Sequence, residues 1–389
     1  MSPETKIKVG IIGSGRIVRG LVKLINASSE MEVTGVLTRR LGPIEGLHVP
    51  EEKIYRSPEM LFVTSDVIVV STGDAIYNTQ IINEAFKYDL PVITMDADTA
   101  VTTGSWLAKR GFITEANGDQ PGCLAVLRQE VMDMGFTPLV YGNIKGFMNL
   151  NPTVEEMKYW SKKQDYSLSS VTSFTDGTKM QVEQALVANS FGVGIAKQGL
   201  VGPKSDDFVG SGMELAKVAD ELGMPISDYI LSRTAPPGVF IMSTHREELK
   251  SALSTYKMGD GPFYHHYKPT HLCFFEIPST IKEVFHHKKL LMYNGTSPTT
   301  SVVALAKRDL NKGEFIETGI GGFELRGEAM LISDDPDHVP IGLLQNVILK
   351  ENIQEGQPIR FSDVEIPPSM ALDAWFEILD TLNLQLKIG

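Results

Sequence analysis

Short apolar runs rich in β-branched residues alternate with amphipathic helical patterns along the first 145 residues, and this alternation restricts the fold more than any other feature. Residues 7–12 (IKVGII) form a buried strand bounded by Gly13, and residues 17–25 carry apolar positions at helical spacing. Further strand runs lie at 33–37, 66–71 (DVIVVS), 91–95 (PVITM) and 138–141, with helical segments such as 77–88 between them. Strands that are apolar throughout and separated by helices form βαβ units, which bury a parallel sheet on both faces. The expectation is an α/β protein whose N-terminal part is a Rossmann-type, doubly wound parallel sheet.

The pattern changes near Asn149. A strong helix follows the turn Thr175-Asp176-Gly177, a second spans about 212–222, and strand-like runs return at 238–243 and 271–276. This reads as an α+β middle domain. From about Thr300 the chain has short strands (SVVALA, EFIETG, AMLISD) and many Gly, Pro and Asp turns, the marks of a small β-rich domain. The expected division is 1–148, 149–299 and 300–389, and a length of 389 residues suits two or three domains. Residues 256–269 (YKMGDGPFYHHYKP) read as a crowded aromatic loop.

Gly13-Ser14-Gly15-Arg16-Ile17 joins the first strand to its helix, where small residues let a pyrophosphate approach the helix N-terminus. The third fingerprint position is Val18, so the match is partial. After the second strand come Thr38-Arg39-Arg40 in place of the acidic residue that would bind a ribose 2′-hydroxyl. Two guanidinium groups and a hydroxyl suit a 2′-phosphate, hence NADP(H). Thr72 and Gly73 close a central strand, where the nicotinamide ribose would lie.

Asp96 and Asp98 can bind a metal or polar substrate, or cap a helix starting near Thr102. Asp119 and Gln120 precede Pro121, a residue suited to the first turn of a helix running to about Asp133. Lys145 stands at the end of the run expected to be the last strand of the parallel sheet, where the chain leaves for the middle domain. Lys179 opens a helix with Glu183 one turn later on the same face. The catalytic candidates are therefore Lys145, Lys179, Asp119 and Glu183. The two lysines would protonate or stabilise a substrate oxygen, and the acids would orient them, with Glu183 holding the Lys179 ammonium. His265, His266 and His271 can contact phosphate or metal, or pack against the core, and their spacing matches no zinc motif.

Composition excludes several other classes. Apolar residues at 42% and charged residues at 22% rule out wholesale disorder. A net charge of -12, with no Lys/Arg run, disfavours nucleic acid and anionic membrane surfaces as partners. Two cysteines, Cys123 and Cys273, exclude a disulfide scaffold and a Cys-rich zinc site. No stretch approaches the roughly 18 apolar residues of a membrane span, and the N-terminal segment has no long apolar signal core, so a reducing cytoplasm is the expected compartment. Neither a Gly-x-Ser-x-Gly elbow nor a Walker loop occurs.

Taken together, IKVGIIGSGRIVRGLV, MDADT, ANGDQPG, GNIKGFMN, FTDGTKMQVEQALVANSFG and YKMGDGPFYHHYKPTHLCFFE resemble the homoserine-dehydrogenase-like oxidoreductases that carry a C-terminal SAF domain. The 1-deoxy-D-xylulose 5-phosphate reductoisomerase-like proteins are the best-known members. VVALAKRDLNKGEFI resembles the start of a SAF module. The resemblance spans roughly residues 6–346 and implies an NADP-binding domain, a central catalytic and dimerisation domain and a SAF-like C-terminal domain. It implies oxidation or reduction at a carbonyl or alcohol carbon of a small polyol-like or sugar-phosphate-like substrate, by a homodimer. Related enzymes bury elements like the helix at 180–191 and the run at 271–275 between subunits. A divalent metal has no motif to support it. Homoserine dehydrogenase, or a protein that senses NADP and carbohydrate without turnover, are the rival readings.

Overall fold

The computed structural model describes residues 6–384. The first unit contains β1 (Ile7–Ile12), α1 (Arg16–Asn26), β2 (Met31–Leu37), β3 (Ile54–Tyr55), α2 (Glu59–Thr64), β4 (Val67–Val70), α3 (Ala75–Phe86), β5 (Val92–Thr94), α4 (Ala97–Ala108) and β6 (Ile113–Glu115). Its six strands run parallel in the order β3-β2-β1-β4-β5-β6. That order is the doubly wound dinucleotide-binding arrangement, with its crevice beyond the carboxyl ends of β1 and β4. The central strands are buried end to end: Val67, Ile68, Val69 and Val70 of β4 are all inaccessible.

The next strand is not part of that sheet. After α5 (Gln120–Asp133), β7 (Thr137–Lys145) crosses into a second sheet, so the run expected to close the parallel sheet opens the middle unit instead. There α6 (Val154–Gln164), α7 (Leu168–Thr175), α8 (Thr178–Phe191), α9 (Phe208–Leu222), β8 (Ile226–Leu231), β9 (Val239–Thr244), α10 (Lys250–Thr255) and β10 (Tyr264–Lys268) follow in turn, and α11 (Ile277–His287) then packs back into the core of the first unit. The sheet order is β10-β9-β7-β8, mixed in direction, with β7 parallel to β8 and antiparallel to β9. The register slips between Pro138 and Val140, where proline has no N–H to give the ladder. About a third of the expected aromatic loop, Tyr264–Lys268, is strand β10. The run at 271–276 is not a strand. Cys273 sits at φ 48°, outside the extended region, and starts a single 3-10 turn to Phe275.

The last unit pairs β11 (Thr300–Ala306) with β13 (Leu325–Leu331), and β12 (Phe315–Thr318) with β14 (Gln345–Leu349) and β15 (Val364–Glu365). It ends in α12 (Met370–Thr381), which returns to the first unit. There Trp106 Nε1 of α4 donates to Glu377 Oε2 at 2.8 Å, and Arg110 pairs with the same oxygen at 2.9 Å.

Helix α8 lies among all three units and is buried from Thr178 to Ala188 apart from the half-buried flank of Lys179. A helix covered on every side belongs to an interior. Because α8 is enclosed within one subunit, it cannot be the dimer face expected from its apolar sequence. Among the described residues no helix is long and apolar enough to cross a membrane.

Candidate active site

The turn from β1 to α1 has the backbone an anion site requires. Gly13 sits at φ +119°, and a β-carbon there would lie 2.1 Å from the Ser71 carbonyl oxygen. Gly15 caps α1 with open space where a β-carbon would stand, no side chain caps the helix and no acid occupies its first turn. The first N–H groups of α1 therefore have no internal partner and face the crevice. Val18 is buried and takes up the helix-to-strand contact at the third fingerprint position. Ile17 packs its side chain into the first-unit core, which leaves its main chain for a ligand. Arg16 leans across the mouth instead, donating to the Gln164 carbonyl and lying 4.6 Å from the Tyr166 ring centre.

Thr38 Oγ1 meets Ser14 Oγ at 2.9 Å, which ties the end of β2 to the glycine turn. Arg39 pairs with Asp74 at 2.7 Å and lies over the Tyr77 ring, while Arg40 is exposed and forms no ion pair among the described residues. The acid missing from β2 thus arrives from the N-cap of α3. Thr72 and Gly73 have their N–H groups bound by Asp96 Oδ2, at 2.6 and 3.0 Å, and Asn78 donates to the same oxygen. Asp96 is accordingly a brace for the β4 loop. Helix α4 starts at Ala97 rather than near Thr102, because Asp96 already accepts its first helical bonds through its carbonyl. These residues would hold the adenosine, pyrophosphate and ribose parts of a dinucleotide.

The four catalytic candidates come together where this crevice meets the second sheet. Asp119 caps α5, accepting from Gln120 N at 2.9 Å through Oδ1, and turns Oδ2 toward Lys179 Nζ at 3.6 Å. Lys145 ends β7 and donates to Gln120 Oε1 at 2.5 Å, with Glu183 Oε2 at 3.3 Å. Asn143, two residues earlier on the same face of β7, donates to Glu183 at 2.9 Å. The pairing differs from the sequence expectation: Glu183 holds Lys145, and Asp119 holds Lys179. One turn of α8 separates Lys179 from Glu183, and each reaches across to a different element.

Burial dominates the electrostatics. It would push the Lys179 ammonium down, but Asp119, Asp98, Glu183 and Asp96 overcome this and hold it well above the usual lysine value. Burial acts to raise Asp119, but Lys179, His271, the Gln120 N–H and Lys145 together pull it below its ordinary carboxylate value. Burial lifts Glu183 to about 7, with Lys145 opposing. It also raises Asp98, and lifts Glu115 well above its ordinary value with the Asp119 charge adding to the effect.

Several groups are buried without hydrogen-bond partners among the described residues: both oxygens of Glu115, Oδ1 of Asp98 and Oδ1 of Asn143. Lys179 has its contact with Asp119 but no hydrogen bond of ordinary length. Such groups are costly unless a ligand or water completes them. Glu115 and Asn143 were not singled out in the sequence. The one available signal was a lone acid closing the short strand-like run Phe112-Ile113-Thr114.

The loop 117–119 is braced by the segment at 271–276. A β-carbon on Gly118, at φ +118°, would lie 2.1 Å from the Cys273 oxygen, and Cys273 N donates to the Gly118 carbonyl at 2.9 Å. Lys268 bridges Cys123 at 3.2 Å and Glu276 at 2.6 Å behind it. His271 Nδ1 donates to the Pro237 carbonyl at 2.8 Å, so Nδ1 carries the proton of the ring. Its ring is within the field of Asp119 and Lys145. His265 and His266 are packing residues: His265 lies among Phe208, Phe240 and Tyr267, and His266 meets Ser243 Oγ at 2.8 Å. Among the described residues no group of three or more His, Cys, Asp or Glu side chains is placed to hold a metal ion.

Residues 118–277 match the family model described as "Oxidoreductase DRL, catalytic domain". That span holds Asp119, Lys145, Lys179 and Glu183. No curated protein matches the chain. Among solved structures, a homoserine dehydrogenase from Thiobacillus denitrificans is 13% identical, with 92% of this chain and 99% of that one covered at a TM-score of 0.49. A myo-inositol dehydrogenase from Corynebacterium glutamicum is 11% identical over 73% of this chain and 90% of its own, at 0.43. A UDP-N-acetylglucosamine 3-dehydrogenase from Acidithiobacillus ferrooxidans is 12% identical over 75% and 92%, also at 0.43. At these scores the function rests on the site itself and on the family match.

Proposed function

We propose that the protein is an NADP(H)-dependent oxidoreductase that interconverts a carbonyl and an alcohol on a small polyhydroxylated substrate. The observation that carries this reading is the convergence of two lysine–carboxylate pairs, Lys179 with Asp119 and Lys145 with Glu183, at the open end of a dinucleotide-type crevice. The family match over the same residues supports the oxidoreductase class.

The glycine turn and the uncapped α1 fit a dinucleotide, and Arg40, exposed and without an ion pair among the described residues, is the cation open to a 2′-phosphate, with Arg39 joining it by leaving Asp74. When bound, its nicotinamide supplies or accepts the hydride. Lys179 faces the developing negative charge on the substrate oxygen. Kept ionised by its acidic neighbours, it acts as an electrostatic stabiliser. Lys145 is the second donor at that oxygen. Glu183, lifted to about 7, can hold or release a proton near neutral pH and pass it through Lys145.

The charge balance decides between a polyol and a phosphate ester. Around the two ammonium groups stand Asp96, Asp98, Glu115, Asp119 and Glu183. A phosphate dianion would meet cations already neutralised, whereas hydroxyl groups can satisfy the unpartnered oxygens of Glu115, Asp98 and Asn143.

The test is NADPH oxidation, and NADP reduction, across a panel of ketoses, aldoses, polyols and their phosphates, with Lys145→Met and Lys179→Met beside the wild type. Each substitution should lower kcat by about 10²-fold or more, with NADPH affinity nearly unchanged. Turnover of phosphate esters alone would reject the polyol reading. Wild-type kcat in Lys179→Met would remove Lys179 from the mechanism. L-homoserine belongs on the panel as the nearest rival substrate.

A further inference from the structure

The turn that presents Lys179 is braced by the C-terminal unit. Asp176 precedes it and is wholly buried, and Oδ1 accepts from the Thr178 N–H at 2.9 Å. Its other oxygen meets Lys307 Nζ at 2.6 Å. Lys307 directly follows β11, has a side chain only 4% exposed, and also donates to the Gly322 carbonyl at 2.8 Å.

Three further contacts tie the same turn to the C-terminal unit. Gly327 N donates to Thr178 Oγ1 at 2.9 Å, and Ala329 N donates to Gln181 Oε1 at 2.8 Å, so β13 is bonded along the first turns of α8. Gly321, at φ +73°, sits so close to Ser169 of α7 that a β-carbon there would lie 2.1 Å from the Ser169 oxygen. Gly177 between them is at φ +86°, so the backbone direction changes abruptly one residue before Thr178.

A fully buried ion pair is a poor means of adding stability, because desolvating both charges offsets most of their attraction. What it does impose is geometry: Asp176 must face Lys307 with one oxygen and the Thr178 N–H with the other. Lys179 is the next residue, and it has no ordinary hydrogen bond to fix its ammonium. Its position therefore depends on the backbone that carries it.

We infer that Lys307 is a positioning residue for the reaction: through Asp176 it sets the turn that aims Lys179 into the cleft, and the C-terminal β unit thereby serves the active site. The inference rests on the role given to Lys179 above. Arginine at 307 keeps the charge but cannot occupy an ammonium-sized enclosure with the same reach.

The experiment compares the wild type, Lys307→Arg and the charge-free double variant Lys307→Met/Asp176→Asn. Lys307→Met alone would strand the Asp176 carboxylate and risks failing to fold. Three readouts are taken: kcat and KM with the best substrate of the panel, NADPH affinity, and the Lys179 side-chain signal in lysine-labelled protein by NMR. The signal is assigned by its loss in Lys179→Arg.

Misplacing Lys179 should lower kcat on the order of 10- to 100-fold while leaving NADPH affinity within about twofold. The Lys179 signal should shift in both variants. A folded double variant with wild-type kcat and an unmoved Lys179 signal overturns the inference. If the double variant does not fold, the same two results in Lys307→Arg overturn it. If the wild type turns over nothing on the panel, the function reading fails but the NMR arm still decides whether Lys307 governs Lys179.

Discussion

Replacing Glu183 by glutamine should flatten the pH dependence of stability in a predictable way. Glu183 is 2% exposed, and burial raises its carboxyl from 4.5 to about 7 against the pull of Lys145. The folded protein therefore binds this proton more tightly than the unfolded chain does. The resulting stabilisation is full below pH 4.5 and is lost as pH rises through about 7. At about 1.4 kcal/mol per unit, the loss between those limits is about 3 kcal/mol, an upper figure for a group this tightly paired. Glutamine mimics the protonated acid and retains an oxygen to accept from Asn143, while Lys145 keeps its bond to Gln120. Urea denaturation at pH 5, 6, 7 and 8 should show the variant gaining on the wild type as pH rises, by about 2–3 kcal/mol across that range, with little further change above pH 8. Asp119 is held below its ordinary value of 3.8, so it stays ionised from pH 5 to 8 and adds no slope of its own over that range. Parallel stability curves for the two proteins would refute the reasoning.

Arg39→Asp should weaken NADPH binding by about 10- to 100-fold and narrow or reverse the preference over NADH, read by fluorescence titration. Equal affinity of the unmodified protein for the two cofactors contradicts this. Gly118→Ala should destabilise the fold by more than about 2 kcal/mol, because it strains a left-handed backbone and drives a methyl into the Cys273 carbonyl; a melting temperature within a degree of wild type would contradict it. Light scattering at micromolar protein should give a homodimer, with the contact made by surface other than α8. A mass near 42.8 kDa would exclude that assembly.

Much of the fold was legible because its signals are local. The strand and turn at 7–15 and the aspartate that caps α5 each depend on neighbours within a few residues. Asp119, Lys145 and Lys179 were singled out on those grounds, at a strand end or a helix start, and Glu183 by its place one turn after Lys179. Their pairing was not legible, because Lys145 and Glu183 are 38 positions apart and meet only through the packing of α8 on β7. The sheet that β7 joins was equally hidden. TPLVYGNIK after a helix looks the same whether the strand extends the parallel sheet or starts another. At Cys273 the expectation of a strand failed for a long-range reason: contact with Gly118 holds its backbone at positive φ. Glu115 escaped notice because its isolation from any partner is visible only once the chain is folded.

Helix α12 also bears on how the protein is made. Trp106 and its partner Glu377 are 271 positions apart, so the first unit emerges from the ribosome long before the helix that covers α3 and α4. At about 5–20 residues per second, that face waits roughly 15–50 s for its cover. During this interval Trp106 and its neighbours present an apolar surface to the cell. Mutations that loosen α12 should therefore lower the yield of newly synthesised protein more than they lower the stability of molecules already folded.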